Sequence, residues 1–520
     1  MSDYLSIFII LSVLISICLV GLIQGAQITN LKEYALGNRG FSTTILVCTV
    51  VATWFGGDDF LILVSESDNT NGLYFIWSYI FYIFLVLVLL ALVLIPRMKI
   101  FLGDLSIAES MGKLYGTKVR LVTAVTGCLS MAGVVAAQFK ISGMLFEHCF
   151  DIPSVYGIVL SSVIVTAYSA YGGINSVTFT DVVQFVIFSI IITVLAFFVF
   201  NTLSSTEQTT DLFISNKNFN YQEMLNLFNT KSLYDFFLFL YIIISASDPT
   251  IFQRISMAKH INQARNTFLI TAGIFLLFAL AISWIGATIL TIYPSSCTNQ
   301  IMGYVATDVS YTGFKGLFIA GAMTIIMSTA DSCINSTSIL FTNDFCQSLG
   351  IKIKNELQTA RVFSLLLGLF ATILALHSSD ALQLVITSKS FYIPIVSIPF
   401  TVSLLGFRTN STSILIGMIS GFFTVVIWEA LFREVSIDSA IPGMIVNTVM
   451  LFSSHYFLYK KHSVLLPFVD LIRNLSLEQF VSDNIHRQRR THLYFIIFSI
   501  LSACYSMHRL PEEVLIEHDS

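Results

Sequence analysis

The chain has 520 residues, of which 55% are hydrophobic and 11% charged. A soluble domain carries roughly 25% charged residues, so the surface that water requires is missing and a soluble globular fold is excluded. The net charge of −4 offers no footing for nucleic acid, and the eight scattered cysteines show no zinc or redox spacing and read as small buried hydrophobes.

Apolar runs of about 20 residues, long enough to cross ~30 Å of hydrocarbon, recur from one end to the other. About fourteen spans are predicted, near 4–25, 42–66, 73–97, 119–147, 152–171, 177–202, 233–252, 267–293, 312–340, 359–378, 380–404, 411–432, 440–459 and 491–507. The last is short and weak, which makes thirteen the alternative count. The first lacks a basic lead and a small-residue cleavage pattern, so it is expected to be a retained span. The chain is thus an all-α polytopic membrane protein.

Basic residues set the orientation, because cytoplasmic loops hold the excess of Lys and Arg. With the N-terminus outside, the inner loops carry Lys32 and Arg39, then Arg97, Lys99, Lys113, Lys118 and Arg120, then Arg254, Lys259 and Arg265. Further along they carry Lys352, Lys354, Arg361 and Arg408, and six more lie between 460 and 490. That places twenty of the 27 basic residues inside, against about five outside. Lys140 and Lys389 fall within spans, as do Asp58, Asp59, Glu66, Asp181, Asp248 and Asp331. Each such charge costs roughly 2.5 kcal/mol or more at the bilayer centre and must face protein, water or a counter-charge. A bundle holding this many is expected to have an aqueous or ion-filled interior, not to be a mere anchor.

Five stretches then carry a specific likeness: ATWFGG (52–57), AAQFKISGMLF (136–146), AYGGINSVTFTDVVQF (170–185), DPTIFQRISMAKHINQAR (248–265) and MSTADSCINSTS (327–338). In order and placement they resemble the sodium:solute symporter family, which includes proline, pantothenate, choline and sodium/glucose symporters. The resemblance covers roughly 5–460. It implies a leucine-transporter-like core of two five-helix halves with inverted topology. An inverted repeat places an interrupted helix at matching points of each half. Gly56-Gly57 and Asp248-Pro249 suit that role, since Gly tolerates nonhelical dihedrals and Pro donates no backbone hydrogen bond.

The expected organisation follows. An extra N-terminal helix and first cytoplasmic loop occupy 1–41, and the repeats take 42–202 and 233–404, joined by an extracellular loop at 203–232. Two peripheral helices fill 405–460. A basic amphipathic cytoplasmic linker at 461–490 is expected to lie on anionic lipid, and 491–520 is a weak terminal helix and tail.

Matched residue by residue, the resemblance implies a sodium site built from the carbonyls of Ala52, Phe55 and Ile325 and the hydroxyls of Ser328 and Thr329. On composition alone the hydroxyls bond back to their own helix equally well. Asp181 and Asp331 lie towards the cytoplasmic side, either on a sodium exit path or as helix caps and partners of loop arginines such as Arg254. The solute side, by position, comprises Gly56, Gly57, Asp58, Asp59, Ser78, Tyr241, Ser245 and Asp248, with Gln138 and Lys140 opposite. The GGDD run departs from relatives. Its acids either meet an amine on the solute, helped by cation–π contact, or pair with Lys140 or Lys389, and one of them taking up a proton is a further alternative.

The expectation is a sodium-coupled secondary active symporter that imports a small organic solute (amino acid, amine or choline-like, or carboxylate) by alternating access. A sensor that keeps the transporter fold and a proton-coupled carrier are the alternatives. No nucleophile elbow, HExxH or phosphate-binding loop points to an enzyme. The implied partners are sodium, the solute and membrane lipid, with no nucleic acid, and the expected home is a bacterial inner membrane.

Overall fold

A computed structural model of the chain describes residues 2–59, 72–202, 247–292, 314–432 and 438–458. In chain order the helices are α1 (Ser2–Gly25), α2 (Leu31–Leu36), α3 (Thr43–Trp54), α4 (Gly72–Leu89), α5 (Ile107–Tyr115), α6 (Thr117–Phe150) and α7 (Ser154–Thr202). They continue with α8 (Pro249–Ser256), α9 (Ile261–Ile292), α10 (Phe314–Ile339), α11 (Glu356–His377), α12 (Ala381–Ser390), α13 (Ile398–Leu404), α14 (Ser411–Leu431) and α15 (Ala440–Leu458). Among the described residues ten helices are long and apolar enough to cross a membrane, or up to eleven if the bent pair Leu31–Arg39 and Thr43–Trp54 counts as one. The predicted span at 491–507 and most of that at 233–252 lie outside the described residues.

The long helix α7 is two spans. Gly173 breaks it with φ 51° and ψ −145°, a left-handed backbone that glycine adopts without strain. Tyr168 before the break and Thr180 after it both bond Asp331 Oδ2, at 2.7 and 3.4 Å. On a straight helix twelve residues span about 18 Å, so the chain must turn back at Gly173. The two predicted spans at 152–171 and 177–202 are its two arms. The turn packs on Tyr34, whose ring a Cβ on Gly173 would overlap.

Helix α10, continued by a π turn at Leu340–Phe345, is the axis of the bundle. Its most apolar stretch is 94% buried, against 28% for α1 and α14, whose outer faces are free to meet lipid. Small residues let helices approach where no water-driven force pulls them together. A Cβ on Gly133 of α6 would stand 2.7 Å from Ser388 Cβ of α12.

Two helices stop or start mid-bundle. α3 ends at Trp54 because Phe55 turns extended, with φ −82° and ψ 90°. α8 begins at Pro249, with Asp248 extended at φ −67° and ψ 151° and capping it. Pro at the first helical position loses no hydrogen bond, and an aspartate cap satisfies the exposed N–H groups. The loop placement of Arg254 needs correcting: it lies on α8 and is 1% exposed. The inner excess of basic residues survives its removal.

Candidate functional site

The break after α3 leaves backbone oxygens without helical partners, and α10 meets them with hydroxyls. Ser328 Oγ lies 2.8 Å from Ala52 O and 2.8 Å from Ile325 O. It donates its single hydrogen to one of them at a time. Thr329 Oγ1, one residue on, lies 3.5 Å from Thr53 O and 3.1 Å from where a Gly56 Cβ would stand. Phe55 sits at the break itself, and its ring is wedged between Phe275 and Phe188, with centroids 5.6 and 6.4 Å away. Ser328 is fully buried and Thr329 nearly so. Ala52, Ile325, Ser328 and Thr329 thus bring neutral oxygens to one interrupted turn, with Phe55 at the break beside them, and neutral oxygens suit a hard monovalent cation.

On one side of this turn lies a closed polar cluster. Asp181, on the second arm of α7, accepts from Thr49 Oγ1 and pairs with Arg254 Nη2 at 3.3 Å. The same Nη2 donates to Thr53 Oγ1 at 3.0 Å and to Ser332 Oγ at 2.5 Å. Asp331 accepts from Tyr168 and Thr180, and at 3.3 Å from the Ser332 hydroxyl. Asp181, Asp331 and the Arg254 side chain have no exposure. A buried ion pair is strongly destabilised when one partner is removed, so this cluster ties α7, α8 and α10 together beside the broken helix. Sequence reasoning placed Arg254 in a loop and passed over Thr53, Ser332 and Tyr168. The signal available was Arg254's place six residues after Asp248-Pro249, still within one short helix.

On the other side are the acids of the GGDD run. Gly57 N–H donates to Gln138 Oε1 at 3.1 Å, and Gln138 Nε2 donates to Asp58 Oδ1 at 3.0 Å. Lys389 of α12 pairs with Asp58 Oδ2 at 3.2 Å. Asp59 accepts from Gly56 N–H at 3.1 Å and from the Tyr79 hydroxyl. The predicted Gly56, Gly57, Asp58, Asp59 and Gln138 therefore stand together, joined by Lys389 and Tyr79.

Lys140 and Asp248 are joined to this cluster by no hydrogen bond or ion pair among the described residues. Lys140 is two residues beyond Gln138, hence about 200° around the helix, while Gln138 and Ile141 face Gly57. Among the described residues no acid lies within ion-pair distance of Lys140. Asp248 is engaged as the cap of α8, accepting from Thr250 N–H at 2.7 Å and Ile251 N–H at 3.1 Å. The Ser78 side chain, Tyr241 and Ser245 lie outside the described residues.

Comparison with known proteins bears on the family and the fold. The family model described as "Sodium:solute symporter family" matches residues 34–421. Sodium/proline symporters of Staphylococcus aureus strains bovine RF122 / ET3-1 and Newman are each 23% identical over 487 residues, covering 86% of this chain and 91% of theirs. The solved structure of a Na+-coupled sialic acid symporter, substrate-bound and outward-open, superposes with a TM-score of 0.75 at 18% identity. It covers 87% of this chain and 98% of that one, and shows the shared fold.

Proposed function

The chain belongs to the sodium:solute symporter family, and from that premise we propose that it imports a small organic solute by alternating access, driven by sodium held at the break in α3. It is a secondary transporter and not an enzyme, a multi-pass protein of a bacterial plasma membrane, and sodium is its coupling ion. Residues 42–202 and 233–404 form its inverted repeats, with the N-terminus outside.

One observation carries the assignment of the sodium site. Ser328 Oγ spans the carbonyls of Ala52 and Ile325, joining the interrupted helix to the axial helix. Breaking a membrane helix is costly unless the freed groups are used, and here they are brought to a hydroxyl that offers the same kind of oxygen. Phe55 and Thr329 complete the donor set. Asp331 lies beside it, where its charge favours a cation leaving inward, while Asp181, the other candidate for that path, is held by Arg254. Gly56, Gly57, Asp58, Asp59 and Gln138 form the solute side, with Ser78, Tyr241, Ser245, Lys140 and Asp248 as further candidates. The solute is an amino acid, an amine or a carboxylate, and the likeness to sodium/proline symporters favours the first.

Uptake of labelled solutes into proteoliposomes, with and without a sodium gradient, tests the proposal. Sodium-driven accumulation that is lost in Ser328→Ala/Thr329→Ala is expected. Uptake indifferent to sodium, or unchanged in the double variant, refutes it.

A further inference from the structure

We infer that Asn447 of α15 holds open a π turn between α12 and α13, and thereby sets the register at which α12 presents Lys389 to Asp58. The outer helix pair, α14 and α15, is then a positioning device for the solute side proposed above.

The joint is Ile393–Ser397, a π turn with Pro394 near its start and Pro399 just past its end. Proline has no N–H to give. At position 399 this matters in either helical register. An α-helix needs that N–H for Ile395 O, four residues back, and a π turn needs it for Pro394 O, five back. Both residues are buried, and an unpaired buried carbonyl is costly. Asn447 reaches across from α15 and donates from Nδ2 to both, to Ile395 O at 3.3 Å and more closely to Pro394 O. The nearer contact is to the carbonyl that the π turn leaves free.

The packing around the joint permits this reach. Asn447 is wholly enclosed. A Cβ on Gly421 of α14 would stand 3.0 Å from Pro394 O, and one on Gly443 of α15 would stand 2.9 Å from Pro394 Cβ. Both outer helices therefore meet the joint at residues without side chains. A second tie lies at the end of α12, where Ser390 Oγ donates to Asp438 Oδ1 at 3.1 Å. The same oxygen accepts from Ala440 N–H at the start of α15, at 2.8 Å.

What the joint controls is the rotation of α12. A π turn carries one residue more than an α turn, so making it regular would rotate α12 by about 100° and shift it by ~1.5 Å along its axis. α12 bears Ser388, whose Cβ lies 2.7 Å from where a Gly133 Cβ would stand, and Lys389, 3.2 Å from Asp58 Oδ2. A rotation of that size takes both away from their neighbours. Without the amide, each register leaves one carbonyl unmet, and the π turn, rare on its own, has nothing to favour it. The amide on an outer helix thus decides which face of α12 looks into the bundle.

The test is a double-mutant cycle of Lys389→Gln and Asp58→Asn, read by thermal melting of purified full-length protein in detergent. A cycle isolates the pair, whatever else each side chain touches. In the wild type the double variant should melt a few degrees above the sum of the two single losses. In an Asn447→Leu background, which fills similar space without a donor, the losses should become additive. Asn447→Leu/Pro399→Ala returns an N–H to the joint and should regain much of the stability, yet the α register it allows keeps the cycle additive. That background also serves if Asn447→Leu alone fails to fold. Non-additivity of wild-type size in either background overturns the inference, because an amide that merely stabilised the joint would lower melting and leave the pair coupled. Additive losses in the wild type overturn it too, since α12 then does not deliver Lys389 to Asp58. The cycle needs neither sodium nor solute. Its failure leaves the proposed symport standing, and a failure of sodium-driven uptake leaves the register of α12 standing.

Discussion

Ser328→Ala is the substitution on which the sodium site turns, and its size follows from two opposed effects. Removing the hydroxyl takes one oxygen from the cation, a loss comparable to a hydrogen bond to a charged group, about 1.5–3 kcal/mol. It also removes the hydrogen bond that Ser328 gives to Ala52 O or Ile325 O at 2.8 Å when sodium is absent. That bond is worth about 0.5–1.5 kcal/mol net, and its loss makes the carbonyls readier for a cation. The first effect is larger, and the difference of about 1–1.5 kcal/mol corresponds to roughly 5–12-fold weaker sodium dependence, at 1.4 kcal/mol per tenfold. The assay is the sodium concentration that half-saturates uptake in proteoliposomes, with protein amount and orientation matched. Ser328→Thr, which keeps the hydroxyl, should stay close to wild type. A half-saturating concentration unchanged in Ser328→Ala would refute the reasoning, because a purely structural serine, bonded to its own helix and its neighbour, predicts lower stability with unaltered sodium dependence.

Two further substitutions test the architecture around the site. Gly173→Ala places a Cβ at φ 51° against the Tyr34 ring, costing about 1–2 kcal/mol for the left-handed backbone and ~1–3 kcal/mol for overpacking. Thermal melting in detergent should fall markedly, and an unshifted midpoint would mean that α7 does not fold back there. Arg254→Gln leaves the buried Asp181 without its counter-charge and should cost about 3–5 kcal/mol. Adding Asp181→Asn should recover most of that loss in a double-mutant cycle read by melting, and additive losses would show that the two do not act as a pair.

The parts of this protein that were legible in the sequence are those where a local rule has no competitor. Long apolar runs have one use, so the spans could be placed, and Gly and Pro inside such runs marked the breaks at Phe55–Gly56 and Asp248–Pro249. That Ser328 would meet Ala52 was legible because the family likeness placed both at one site. What the sequence did not disclose were pairings set by the third dimension. Arg254 and Lys259 are both basic residues near a helix end, and only the path of α8 decides that the first is enclosed and the second exposed. Lys140 and Lys389 were indistinguishable as mid-span lysines. The helix period turns Lys140 away from Gln138, while the close approach of α12 to Gly133 brings Lys389 onto Asp58. A glycine on one helix thus decides which lysine reaches an acid on another, and no window along the chain contains all three. The same holds for Asp58 and Asp59. They are adjacent and identical in type, yet one meets an ammonium and the other a phenol and a backbone N–H. Their difference in role follows from which neighbours the fold delivers, and substitution of each to Asn should therefore have unequal effects on sodium coupling.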